Sequence, residues 1–167
     1  MLKCIFMTQT PKNNRQSHNN SVLRGKKRVR VLACGTFDVL HLGHVHYLQR
    51  ARKWGNELAV IVARDVNVEK NKGKKPLNDE KTRVEIIRSL KCVDKAVLGK
   101  HGNIFDKVEE LRPNVLALGY DQKPDNETIA RELKKRNIAC QIVRISSFHP
   151  EKYKSSILKR RLKDREK

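Results

Sequence analysis

The chain has 167 residues, 38% hydrophobic and 34% charged with only 5% aromatic, which is enough for one domain with a substantial core and short for two. No apolar run approaches the length of a bilayer span, and the broken apolar start at residues 1–7 does not read as a secretory signal, so a membrane protein is excluded and the cytoplasm is expected. The net charge of +20 is uneven: residues 1–30 carry eight Lys or Arg and no Asp or Glu, and residues 151–167 carry eight against three. Such ends can touch nucleic acid weakly through phosphates, but the chain lacks the interleaved aromatics of a dedicated nucleic-acid binder.

In chain order, residues 1–26 are polar and aperiodic and are expected to form a disordered basic tail. The ordered domain is expected over residues 27–163, with 164–167 a charged end. Residues 29–34 form an apolar run of strand length, and Val45, Leu48, Ala51 and Trp54 then recur at helical spacing, closed by a glycine cap at Gly55. A second buried strand lies within 57–65. Residues 70–76 read as a flexible basic loop, and Asn78 or Asp79 caps the next helix, where Val84, Ile86, Ile87 and Leu90 are apolar and Arg83 and Arg88 polar. A short strand within 93–99, a helix near 104–111, a strand at 115–119, a helix near 126–135, a strand at 140–145 and a last helix from Ser155 toward Arg161 complete the pattern.

Five strands alternating with helices predict an α/β fold with a Rossmann-like, doubly wound parallel sheet. Ligands bind such sheets beyond the carboxyl ends of the strands. The candidates are therefore residues 35–44, Arg64 and Asp65, residues 119–122, and the stretch from Arg144 onward. Four cysteines, Cys4, Cys34, Cys92 and Cys140, show neither CxxC nor Cys/His clustering, so no zinc site or disulfide framework is expected.

The stretch Gly35-Thr36-Phe37-Asp38-Val39-Leu40-His41-Leu42-Gly43-His44 joins the first strand to the first helix. A helix start presents free N–H groups and the positive end of the helix dipole, and so attracts phosphate. His41 and His44 are three apart and share a face there, and Gly43 lets a ligand approach the backbone. The GxGxxG dinucleotide fingerprint is absent.

Gly35-Thr36-Phe37-Asp38 followed by His41-Leu42-Gly43-His44 resembles the GTFD…HxGH signature of the cytidylyltransferase-like nucleotidyltransferases. Ala63-Arg64-Asp65, the loop ending Lys74-Lys75-Pro76, Arg83, residues 93–99 and Gly119-Tyr120-Asp121-Gln122 are together most similar to the archaeal FAD synthases, and Ser155-Ser156 resembles the hydroxyl-rich start of the family's last helix. The resemblance implies an FMN adenylyltransferase with ATP and FMN as substrates. The alternative is a CTP-dependent cytidylyltransferase acting on glycerol 3-phosphate or a similar phosphorylated alcohol. Arg144 is followed by Ile145-Ser146-Ser147-Phe148-His149-Pro150 instead of the Arg-Thr-x-Gly-Ile-Ser-Thr-Thr segment of the glycerol-3-phosphate type, which counts against CTP.

The resemblance further implies that His41 and His44 bind the triphosphate and stabilise the transition state, with Lys75 (or Lys74) and Arg83 neutralising the departing pyrophosphate. Thr36, Phe37, Leu42, Gly43, Asp121, Ser155 and Ser156 would complete the nucleotide site, with Phe148 a stacking partner for a ring. A divalent metal, magnesium, is expected with the triphosphate, and no residue is assigned as its ligand. Ordinary structural roles stay open: Asp38 can hold its own turn, the lysine loop can be a solvated run, Arg83 can pair with Asp79, Tyr120 can simply pack, and Phe148 can belong to the core or rim. The oligomeric state is open, a homodimer included.

Overall fold

The structure is a computed structural model that describes residues 27–165. Five strands, β1 (Arg30–Gly35), β2 (Glu57–Val62), β3 (Lys95–Leu98), β4 (Val115–Gly119) and β5 (Gln141–Ile145), alternate with α1 (Leu42–Arg52), α2 (Asp65–Lys72), α3 (Glu80–Arg88), α4 (Phe105–Leu111), α5 (Asn126–Lys135) and α6 (Ser155–Arg165). The strands pair in parallel in the order β3-β2-β1-β4-β5, the doubly wound Rossmann-like arrangement. Chain direction around the sheet reverses between β1 and β4, so the crevice beyond their carboxyl ends is the natural ligand site.

The period-two alternation of each strand divides the core into two layers. Val31 and Ala33 of β1, Leu58, Val60 and Val62 of β2 and Val115 and Ala117 of β4 pack on one face with Tyr47, Leu48 and Ala51 of α1 and Val84 and Ile87 of α3. Leu32, Ala59, Ile61, Leu116 and Leu118 pack on the other with Phe105, Val108 and Leu111 of α4 and Ile129 and Leu133 of α5. Both faces being covered, the central strands are apolar throughout, which is why they stand out in the sequence.

The structure resolves or corrects several expectations. The stretch expected as a loop at 70–76 begins inside α2, which ends on a left-handed Gly73 (φ 68°) whose N–H donates to the Glu69 carbonyl. This helix buries only Val68 and so lacks an apolar stripe. α1 has no glycine cap: Lys53 ends it in right-handed conformation. Gly55 is needed for another reason, since a Cβ there would fall 2.3 Å from the Val29 carbonyl oxygen. Asp79, not Asn78, caps α3, accepting from the N–H groups of Lys81 and Thr82. The last helix, expected from Ser155 toward Arg161, continues to Arg165. The tail expected at 1–26 lies outside the described residues.

Candidate active site

The turn after β1 is built around Phe37. Its backbone is left-handed (φ 52°) and its ring is buried, folded back over Gly35, where a Cβ would lie 2.6 Å from the ring. The ring packs edge-on against His44 (centroids 5.2 Å apart) and in parallel against Tyr47 (6.4 Å). A buried Phe37 thus wedges the start of α1 against the end of β1 and leaves only its backbone for a ligand. His41 is the N-cap of α1, with extended backbone, and no side chain caps the helix. The first turn holds no acidic residue, so its N–H groups and dipole are not neutralised by the helix's own carboxylates.

His41 and His44 stack, ring centroids 3.8 Å apart and 20° from parallel. Burial pushes the pKa of His41 below its ordinary value. Burial, with the charges of His41 and Lys72, pushes that of His44 down to about 3. Burial therefore favours the uncharged form of both rings. His41 Nε2 lies 3.2 Å from the Ser155 hydroxyl, while the Nδ1 atoms of both rings are buried without a hydrogen-bond partner. Structural core histidines satisfy their ring nitrogens; this pair does not. Gly43 lies between them, and a Cβ there would come within 2.8 Å of the Tyr153 carbonyl and 2.9 Å of His41 Nδ1. Only glycine lets the chain before α6 close over the turn.

Asp38, 6% exposed, is the junction of three segments. One carboxylate oxygen accepts from the N–H groups of Leu77 (2.7 Å) and Asn78 (3.0 Å), and the other from the ammonium of Lys159 on α6. Asn78 returns a bond from its amide to the Asp38 carbonyl (2.7 Å). Burial opposes charge on Asp38, but Lys159 and the two N–H groups outweigh it and hold the carboxyl below its usual range. Asp38 therefore ties its turn to distant segments instead of closing an Asx turn of its own. Lys72, at the end of α2, donates to the Thr36 hydroxyl (3.1 Å). Its pKa is lowered by burial and by the charges of Lys159 and Arg83, against which Asp38 works in the opposite sense.

Arg83 does not take the expected place. Its side chain is fully buried, and it donates from Nε to the Asn78 carbonyl (3.1 Å), from Nη1 to that of Thr36 (2.5 Å), and from Nη2 to Ala63 (2.7 Å) and the Asp65 carboxylate (2.6 Å). Its partner is Asp65 instead of Asp79, and a guanidinium so enclosed supports the site from beneath. Of the two roles left open for Phe148, the structure supports packing: its ring lies in parallel on His46 (4.8 Å) and Tyr153 (5.8 Å), engaged within the fold instead of standing free for a base.

Across the crevice, Gln122 accepts from the Gly119 N–H (2.8 Å) and donates to the Cys34 carbonyl (2.7 Å), joining the ends of β4 and β1. Arg144 donates to the carbonyls of Gly119, Gln122 and Pro124 and fixes the loop that presents exposed Tyr120 and Asp121. Lys154, one residue before α6, lies 3.4 Å from the Asp121 carboxylate and over the Tyr120 ring.

Of the expected site residues, Thr36, His41, Gly43, His44 and Ser155 come together at the turn, and Asp121 is linked to them through Lys154. Leu42 (52% exposed), Lys75 and Ser156 are solvent-facing. Lys72 and Lys159 were not singled out by the sequence; in a chain so rich in lysine, their types carried no signal, and only folding brings them to Thr36 and Asp38. Among the described residues no three His, Cys, Asp or Glu side chains converge as metal ligands, and both Asp38 oxygens are taken. These residues do not form a cage for a resident divalent ion.

An anion-seeking helix start with two stacked imidazoles, at the switch point of a doubly wound sheet, suits a nucleotidyltransferase. The chain belongs to the cytidylyltransferase-like family, which matches residues 32–161. It is 44% identical over 135 residues to an FAD synthase of Thermococcus sibiricus, covering 80% of this chain and 88% of that protein. An FAD synthase of Thermoplasma volcanium is 43% identical (80% and 94% covered), and one of Methanothrix thermoacetophila 47% identical (81% and 95%). Among solved structures, the lipopolysaccharide core biosynthesis protein from Thermoplasma volcanium is 46% identical, with a TM-score of 0.71 over 73% of this chain and 99% of that one. A pantoate-beta-alanine ligase from Francisella tularensis, 14% identical with a TM-score of 0.52 over 84% of this chain and 70% of its own, shares the fold.

Proposed function

We propose that the protein is an FMN adenylyltransferase that transfers AMP from ATP to FMN, yielding FAD and pyrophosphate. The observation that carries this reading is the His41–His44 stack at the start of α1, closed by Ser155, in a chain that is 43–47% identical to FAD synthases over four-fifths of its length.

A phosphate oxygen of FMN attacks the α-phosphorus of ATP, the bond from that phosphorus to the bridging oxygen breaks, and pyrophosphate carries the electron pair away. The protein's task is positioning and charge stabilisation. The open N–H groups of α1 and the N–H donors of His41 and His44 bind the triphosphate and meet the charge that develops on its oxygens. Lys72, with Lys74 or Lys75 on the exposed stretch that follows, balances the departing pyrophosphate. Arg83 holds the Thr36 carbonyl, and so the turn, in place. Asp121 contacts the nucleoside, and Ser155 and Ser156 hold phosphate from the start of α6.

A divalent cation, magnesium, enters as part of the ATP substrate and neutralises phosphate charge. The enzyme works in the cytoplasm, and among the described residues no helix is long and apolar enough to cross a membrane. Contact with nucleic acid is confined to the basic ends. The test is chromatographic: purified protein with magnesium, ATP and FMN yields FAD. A product from CTP and glycerol 3-phosphate with no FAD would replace this reading by the cytidylyltransferase one.

A further inference from the structure

Residues 146–154, between β5 and α6, contain no helix or strand, yet they deliver Ser155 to His41. A free connection of this length would leave the start of α6 loosely held. Three sets of contacts remove that freedom. Phe148 packs in parallel on His46, in the second turn of α1 (4.8 Å, 20°), and on Tyr153 (5.8 Å, 14°). The His149 ring stands edge-on to both Phe148 (4.7 Å) and Tyr153 (6.5 Å). The backbone closes beneath these rings: the N–H groups of Lys152 and Tyr153 both donate to the His149 carbonyl at 2.9 Å, and His149 adopts a left-handed conformation (φ 44°) that turns the chain sharply.

The consequence falls at the catalytic turn. The carbonyl of Tyr153 rests against Gly43, and the Ser155 hydroxyl lies 3.2 Å from His41 Nε2. The stack therefore grips α1 at His46, one turn beyond the point where the same segment meets His41 and Gly43.

We propose that the His46–Phe148–Tyr153 stack is a positioning device that sets Ser155 against His41, so that Phe148 and His46 govern the enzyme's affinity for the triphosphate without touching it. The inference rests on the reading above that His41 and Ser155 hold the triphosphate. The aromatic rings hold the segment before α6 in place.

The test compares Phe148→Leu, His46→Ala and Phe148→Tyr in the full-length protein, by steady-state kinetics and by NMR of the His41 imidazole in the free enzyme. Disrupting the stack raises KM for ATP by about tenfold and leaves kcat within about twofold, because a correctly placed Ser155 serves ground state and transition state alike. The His41 resonance shifts in Phe148→Leu and His46→Ala, and Phe148→Tyr, which keeps the ring, restores both readouts. A folded Phe148→Leu with wild-type KM for ATP and an unshifted His41 resonance would overturn the proposal. If Phe148→Leu does not fold, His46→Ala decides by the same two readouts. Failure of the functional reading looks different: the wild-type protein would then form no FAD, while the His41 resonance would still move in the variants.

Discussion

Replacing Arg83 by methionine separates a structural from a catalytic role for this residue more sharply than any other change. Methionine keeps much of the volume but leaves the Thr36, Ala63 and Asn78 carbonyls without the Arg83 donor and the Asp65 carboxylate, which keeps the Glu80 N–H, without its ion-pair partner. Arg83 is wholly enclosed and Asp65 one-third exposed, so the pair is partly buried. Breaking such a pair by removing one member costs about 3–5 kcal/mol, because the remaining groups stay desolvated and unpaired. For a domain of this size that corresponds to a fall in Tm of about 10–20 °C. Arg83→Lys recovers only part of it, since one ammonium cannot reach four acceptors in different directions. Thermal unfolding followed by circular dichroism, with single-turnover kinetics at a temperature where the variant stays folded, measures both effects. A variant whose Tm falls by less than about 3 °C while kcat collapses would return Arg83 to the pyrophosphate and end its structural assignment.

His41→Ala lowers kcat by about 10²–10⁴-fold with little change in Tm, since it removes a transition-state donor from a half-buried position; retained turnover would remove His41 from the mechanism. Because His44 is neutral in the fold and titrates near its ordinary value when unfolded, the unfolded chain gains a proton as pH falls from 7 and the native state does not. Stability therefore declines between about pH 6.5 and pH 3, by about 2 kcal/mol at pH 5 from this residue. Urea midpoints at pH 7 and pH 5 read that decline, and His44→Gln lessens it. Asp38→Asn keeps an acceptor for the Leu77 and Asn78 N–H groups but loses the ion pair, so it and Lys159→Met should both raise KM for ATP, and the double variant should be no worse than the more impaired single one. Additive losses in that cycle would mean the two side chains act independently.

The strands were legible because a parallel sheet covered on both faces demands unbroken apolar runs, as in the ELAVIV of β2, buried along its whole length. α5 was legible because Ile129 and Leu133 recur at helical spacing behind an Asp125 that caps it. α2 was not: with Val68 its single buried residue, no periodic signal separates it from a polar loop. The two histidines could be read because type, spacing and the strand before them agree. Arg83 misled because a charged residue in a helix pattern ordinarily faces water, and its burial is dictated by carbonyls of residues up to 47 positions away. Lys159 and Asp38 are 121 positions apart, and their junction exists only once α6 has folded over the turn.

The proposed activity is the joining of an adenylyl group to a flavin phosphate at this sheet edge. It is tested most directly by incubating the purified protein with magnesium and each of ATP and CTP, against each of FMN and glycerol 3-phosphate, and resolving the products by chromatography. FAD and an equal amount of pyrophosphate are expected from ATP with FMN, and little product from the other three pairs. A cytidylyl product from CTP and glycerol 3-phosphate, with no FAD from ATP and FMN, would contradict it.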